Sequence, residues 1–88
     1  MNAKQLVAAN IKYARKQLGL TQFEAAERIG VTQPTWQTYE SGNVSIGIEV
    51  LADIARALET TMSALVDTEI RYSRAEEKKV LARRRKAA

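Results

Sequence analysis

Gln33, Thr35, Gln37 and Thr38 are uncharged hydrogen-bonding side chains gathered in the stretch TQPTWQTYE, residues 32–40. In a helix with Trp36 and Tyr39 turned inward, these four side chains face outward. An ordinary solvated helix face carries Glu and Lys at such places. A face meant for the edges of bases needs donors and acceptors with little net charge, and glutamine can pair bidentately with adenine in the major groove. The plainer alternative is a helical hairpin that only completes a core. The residue types on the outer face favour base reading.

Other chemistry is poorly supplied. The 88 residues contain no cysteine and no histidine. Disulfides and thiol chemistry are therefore excluded, no Ser-His or Cys-His pairing can form, and a zinc site would need carboxylates alone. The composition thus predicts no catalytic residue, no metal and no cofactor, and argues against an enzyme. A single small domain of this length buries only about 60% of its unfolded surface. The apolar runs are far shorter than the roughly 18 residues of a membrane span, and no signal-peptide pattern opens the chain. The expectation is a soluble cytoplasmic protein, associated with the nucleoid and without a membrane partner.

The elements that must position the outer face read as all-α. Leu6, Val7, Ile11, Ala14 and Leu18 follow the spacing of one buried stripe and predict a helix over 2–18, ended by Gly19, with Leu20 folding back onto it. Thr21 and Glu24 form a capping box for a second helix to about Ile29, with Ala25, Ala26 and Ile29 inward. Gly30 and Val31 form a turn. Thr32 caps a third helix, with Pro34 in its first turn and Gly42 as its stop. Ile48, Leu51, Ile54, Ala55 and Leu58 predict a fourth helix over about 48–59. Thr60 or Thr61 caps a short fifth, with Met62, Leu65 and Val66 closing the core. Beyond it, Ser73 and Glu76 suggest another capping box, and 74–86 a further helix with a small apolar face. The chain divides into a domain over 1–67 and a basic tail over 68–88, helical or partly disordered.

Ile11, Arg15, Gly19-Leu20-Thr21-Gln22, Ala26, Gly30-Val31-Thr32, Glu40-x-Gly42, Leu51, Ile54-Ala55 and Ala57-Leu58 stand in an ungapped pattern that resembles the lambda repressor-like (Cro/cI-type, XRE) helix-turn-helix domains. The resemblance covers about residues 8–66. It implies a five-helix bundle, sequence-specific binding to operator DNA and usually a two-fold dimer. Carried over residue by residue, Gln22 matches a glutamine that contacts a phosphate and braces the first base-reading side chain. Gln33 matches that reader, and Thr38 a second base-contacting position. Arg15 and Glu40 match an ion pair tying the opening helix to the end of the recognition helix.

The chain also departs from the pattern. Pro34 stands where relatives often carry a polar reader, so any readout there is apolar, toward a thymine methyl. Phe23 replaces a typically polar residue; it packs on a neighbouring element, lies on the sugar-phosphate backbone or joins a partner surface. Trp36 replaces a smaller aliphatic and is read as core filling beside Ala14 and Ala25.

Around the candidate base readers Gln33, Pro34, Gln37 and Thr38, phosphate contacts are expected from Gln22, Thr32 and Thr35 near the starts of the motif helices, and from Ser41, Asn43 and Ser45 in the following loop. Charge is unevenly spread. Residues 1–68 carry six Lys and Arg against seven Asp and Glu, and residues 69–88 carry eight against three. The body is near neutral and the tail strongly basic. The tail is a solvated extension, an arm along DNA phosphates, or a helix docking on a protein.

Taken together, the residues and the resemblance predict a transcriptional regulator, a repressor of the phage or toxin–antitoxin kind, binding double-stranded DNA as a homodimer on a palindromic operator. The rival is an antitoxin or adaptor-type interaction module that binds a partner protein through residues 69–88.

Overall fold

The helices begin where the sequence offers a cap and end where a residue can leave the helical backbone. The computed structural model describes residues 1–67, which form α1 (Ala3–Gln17), α2 (Gln22–Arg28), α3 (Gln33–Glu40), α4 (Ile48–Ala57) and α5 (Met62–Leu65). Among the described residues the fold is all-α. The expected helix over 74–86 and its Ser73–Glu76 box lie outside them.

Asn2 and Gln5 close a reciprocal capping box on α1. Thr21 and Glu24 do the same on α2, and the Thr21 backbone N–H and hydroxyl hold the Glu24 carboxyl below its ordinary pKa. Thr32 accepts from the Thr35 backbone N–H at the start of α3, and Thr61 from that of Ala64 on α5. Each such cap contributes about 1 kcal/mol. Only α4 starts without a side-chain cap, from Gly47.

Ala25 and Ala26 are buried to the backbone, so α2 lies close against α3. The space their small side chains leave takes the fully buried Trp36. Ile11 from α1, Leu51, Ile54 and Leu58 from the α4 segment and Leu65 from α5 complete the core. Gly42 follows α3 with φ +78°, and a Cβ there would sit 3.3 Å from Gln5 Cα. The turn after α3 therefore packs directly on the backbone of α1.

Three residues assigned to the buried stripes are exposed. Leu18 is 37% exposed, Val66 48% and Ile48 73%. Leu18 caps the end of α1, where the chain reverses so that Leu20 packs in its place. Val66 caps α5, and a helix of four residues has room for only Met62 and Leu65 on its inner side. Ile48 is the first residue of α4, ahead of the point where the stripe meets the core. The α4 helix also stops short of 59, because Glu59 adopts a left-handed φ of 55°.

One buried polar residue ties the bundle together. Asn10, 2% exposed, donates from Nδ2 to the carbonyls of Leu65 (2.9 Å) and Asp67 (3.2 Å). It thereby satisfies the last carbonyl of α5, at Leu65, and one just beyond the helix, at Asp67.

Candidate nucleic-acid interface

The α3 helix is held on its inner side by a hydrogen-bonded cluster around one carboxylate. Arg15 donates to Glu40 twice, from Nε to Oε2 at 2.6 Å and from Nη2 to Oε1 at 3.0 Å. The indole Nε1 of Trp36 donates to Oε2 at 2.5 Å, and Gln22 Nε2 donates to Oε1 at 3.1 Å. Arg15 Nη1 also donates to the Leu20 carbonyl at 2.8 Å. The side chains of Arg15 and Glu40 are 10% and 3% exposed. Burial alone raises the pKa of the Glu40 carboxyl, but hydrogen bonds from Arg15, Trp36 and Gln22 outweigh it and hold the group below its ordinary value. The carboxylate is thus ionised at neutral pH.

From this cluster one further hydrogen bond leads outward. Gln22 Oε1 accepts from Gln33 Nε2 at 2.8 Å, so the first residue of α2 braces the first residue of α3. Gln33 is half-buried by this contact, while Pro34, Gln37 and Thr38 are exposed on the outer face. Thr38 donates its hydroxyl to the Pro34 carbonyl at 3.1 Å, so its oxygen can serve a further partner only as an acceptor.

The expected phosphate-side residues occupy the two ends of α3. Thr32 and Thr35 pair their hydroxyls at 2.9 Å at its start. At its end the Ser41 hydroxyl donates to the Thr38 carbonyl at 2.6 Å and accepts from the Asn43 backbone N–H. Its one proton is spent inside the cap. Asn43 and Ser45 are exposed in the following loop.

Trp36 is fully buried, out of reach of a base, and fills the core as expected, while Phe23 is 59% exposed on α2. Arg28, the only cation of the motif, is turned away from α3: its guanidinium donates to the Ala57 carbonyl at 2.7 Å, at the end of α4.

A helix-turn-helix family model matches residues 11–65, most of the chain and the whole of this geometry. The chain belongs to the helix-turn-helix family of transcriptional regulators. This domain is 32% identical over 64 residues to the HTH-type transcriptional regulator YqaE of Bacillus subtilis (strain 168), covering 73% of the chain and 55% of that protein. It is 50% identical over 48 residues to an HTH-type transcriptional regulator of Methanothermobacter thermautotrophicus, covering 54% of the chain and 70% of that protein. The chain thus spans about half the length of the first of these relatives. Among solved structures, an HTH_3 family transcriptional regulator from Vibrio cholerae superposes with TM-score 0.69 at 31% identity, over 76% of this chain and 38% of that one. The clp gene regulator ClgR from C. glutamicum shares the fold, with TM-score 0.70 at 23% identity, over 74% of this chain and 84% of that one. Membership places the domain among DNA-binding regulators and apart from enzymes. No helix among the described residues is long and apolar enough to cross a membrane.

The domain holds two polar contacts beyond the expectations drawn from the sequence. The Trp36 indole bonds Glu40, a contact added to the packing that its size predicts. A buried indole N–H seeks an acceptor, and a carboxylate four residues on lies on the same helix face, which is signal enough. Asn10 is the other, and it falls on the Val7–Ala14 face at the same three-to-four spacing.

Proposed function

We propose that this domain is a sequence-specific repressor that binds a palindromic operator as a homodimer, with α3 in the major groove. The observation that carries the reading is the outer face of α3: exposed Gln37, Thr38 and Pro34 beside Gln33, with no charged side chain among them, on a helix clamped from below through Trp36 and Glu40. In this reading Gln33 pairs bidentately with adenine, Thr38 accepts from a base amino group, Gln37 supplies a further polar contact and Pro34 meets a thymine methyl. Gln22, Thr32, Thr35, Ser41, Asn43 and Ser45 flank these readers as phosphate contacts. The α3 N-terminus lends the Gln33 backbone N–H and its partial positive charge to the same backbone, since Pro34 has no N–H and Thr32 takes that of Thr35. Two copies related by a two-fold axis would set their recognition helices about 34–36 Å apart.

Residues 1–67 are read as the DNA-binding unit. Residues 69–88, with eight cations against three anions, are read as a phosphate-following arm that adds affinity without sequence preference. The protein would act in the cytoplasm on the nucleoid. Selection of bound DNA from a random pool tests the core of the proposal, because it reports specificity, half-site spacing and symmetry together. On the selected operator, Gln33→Ala is expected to lose about 1–3 kcal/mol of discrimination at one base pair per half-site. An unchanged base preference at every position sinks the assignment. Removing residues 69–88 is expected to flatten the slope of log K against log salt; an unaltered slope rules out the phosphate arm.

A further inference from the structure

An amide side chain can present its oxygen and nitrogen in either order, since the two orientations have the same shape and differ only in hydrogen bonding. At Gln33 the order matters. Adenine shows an acceptor, N7, beside a donor, N6, and an amide placed the wrong way round meets acceptor with acceptor and donor with donor. The cluster beneath α3 removes this ambiguity. Glu40 is ionised and can only accept, and each of its oxygens already receives two donors: Arg15 and Trp36 on Oε2, Arg15 and Gln22 on Oε1. Gln22 must therefore turn its NH2 toward the carboxylate, because its carbonyl oxygen at 3.1 Å from Oε1 would be repelled. Its own Oε1 then faces Gln33 at 2.8 Å. A carbonyl oxygen only accepts, so Gln33 must turn its NH2 inward. Its Oε1 and one remaining N–H are left to the outside in one order.

We infer that the Glu40 carboxylate, acting through Gln22, fixes the donor–acceptor order that Gln33 presents to a base pair, so that Glu40 and Gln22 are specificity-determining residues with no base contact of their own. Gln22 does more than hold Gln33 in place. It transmits a direction, which starts at the charge on Glu40. A methionine at 22 would fill the same space without transmitting it.

The inference rests on the base-reading role proposed for Gln33, and the experiment separates the two. The 88-residue chain is measured on the selected operator and on one in which the base pair identified by Gln33→Ala is inverted, for example A·T to T·A. The wild type is expected to prefer the original by about fivefold or more, the span of a good bidentate contact. Gln22→Met is expected to reduce that preference to less than about twofold, chiefly by admitting the inverted site. A variant that weakens both operators equally, with the preference intact, shows a merely structural role and overturns the inference. The side-chain amide signals of Gln22 and Gln33 in free protein give an independent readout by NMR. Both are expected at hydrogen-bonded positions in the wild type, with Gln33 moving to the solvent-exposed position in Gln22→Met. If Gln33→Ala alters base preference nowhere, the reading of Gln33 falls and the amide signals decide alone: a Gln33 signal unmoved by Gln22→Met overturns the fixed order.

Discussion

Arg15→Met removes the cation from beneath the recognition helix while keeping an unbranched apolar stem in its place. Three hydrogen bonds go with it: two to Glu40 and one to the Leu20 carbonyl. The partner left behind is a carboxylate whose side chain is 3% exposed. Breaking a buried pair from one side costs about 3–5 kcal/mol, because the remaining charge is uncompensated. Trp36 and Gln22 still donate to Glu40, which places the expected loss near the lower bound, about 3 kcal/mol. A domain of this size has roughly 4–13 kcal/mol in total, so the variant should fold with a much-reduced urea midpoint. The pH dependence has a definite sign. In the wild type the Glu40 pKa is lowered, so its contribution is fully present above the ordinary glutamate value, about 4.3, and is lost as pH falls through the lowered folded value. Without Arg15 burial is less well opposed, and the folded carboxyl takes up its proton at a higher pH than in the wild type. The difference between the two proteins must shrink as pH falls from neutral past the glutamate range. Trp36, the only tryptophan, lies inside the cluster, so its fluorescence in urea titrations from pH 7 to pH 3 follows the transition directly. A loss under about 1 kcal/mol at pH 7, or one that stays constant on acidification, would refute the buried-pair reasoning.

Other substitutions test separate parts of the fold. Gly30 and Gly42 both have left-handed backbones, with φ +69° and +78°, but only at Gly42 does an added Cβ meet neighbouring backbone, Gln5 Cα at 3.3 Å. Both alanine variants should lose about 1 kcal/mol to the backbone conformation, with Gly42→Ala losing more and melting several degrees lower; equal melting temperatures would remove the close approach from the account. Glu59→Gly should stabilise by about 0.5–1 kcal/mol, since it relieves a left-handed residue. Its exposed 3.4 Å contact with Arg28 contributes little, so a lowered melting temperature would show the opposite. Asn10→Ala should cost about 1–2 kcal/mol and speed amide exchange across α5, whose last carbonyl, at Leu65, loses this donor; unchanged exchange would separate Asn10 from α5.

Most of the fold was written locally. Thr21 with Glu24, Thr32 with Pro34, and the Leu51-Ile54-Ala55-Leu58 stripe each carry their element in the spacing of a few residues, and those elements stand in the structure. Expectation and structure part where an element meets its neighbour. Leu18, Ile48 and Val66 fit their stripes by period but stand at helix ends, where tertiary direction decides burial. Glu59 looked helical because nothing in its type announces a left-handed backbone. The candidate site divides in the same way. The polar outer face of α3 was visible as residue types. The contacts that give it orientation join residues from 15 to 40 across three helices. The resemblance supplied the Arg15–Glu40 and Gln22–Gln33 pairings, but nothing local pointed to the Gln22–Glu40 link that connects them.

Burying Arg15 and Glu40 is not the most stable way to fill the space under α3. Replacing a buried ion pair by apolar residues of similar volume is often neutral or stabilising by about 1–4 kcal/mol. A triple variant with Arg15→Met, Trp36→Phe and Glu40→Met removes the charges and the indole N–H together, so that no uncompensated charge remains. It should be more stable than Arg15→Met alone and lie near the wild type in urea. Yet it leaves Gln22 Nε2 without its acceptor, and Gln22 can then offer either end of its amide to Gln33. The triple variant should keep the fold and lose the preference between the selected operator and its inverted form, to the same extent as Gln22→Met. Stability and readout would part company in one protein. If the preference survives in a folded triple variant, the carboxylate serves only to join α1 to α3, and the direction of Gln33 must be set by the DNA itself.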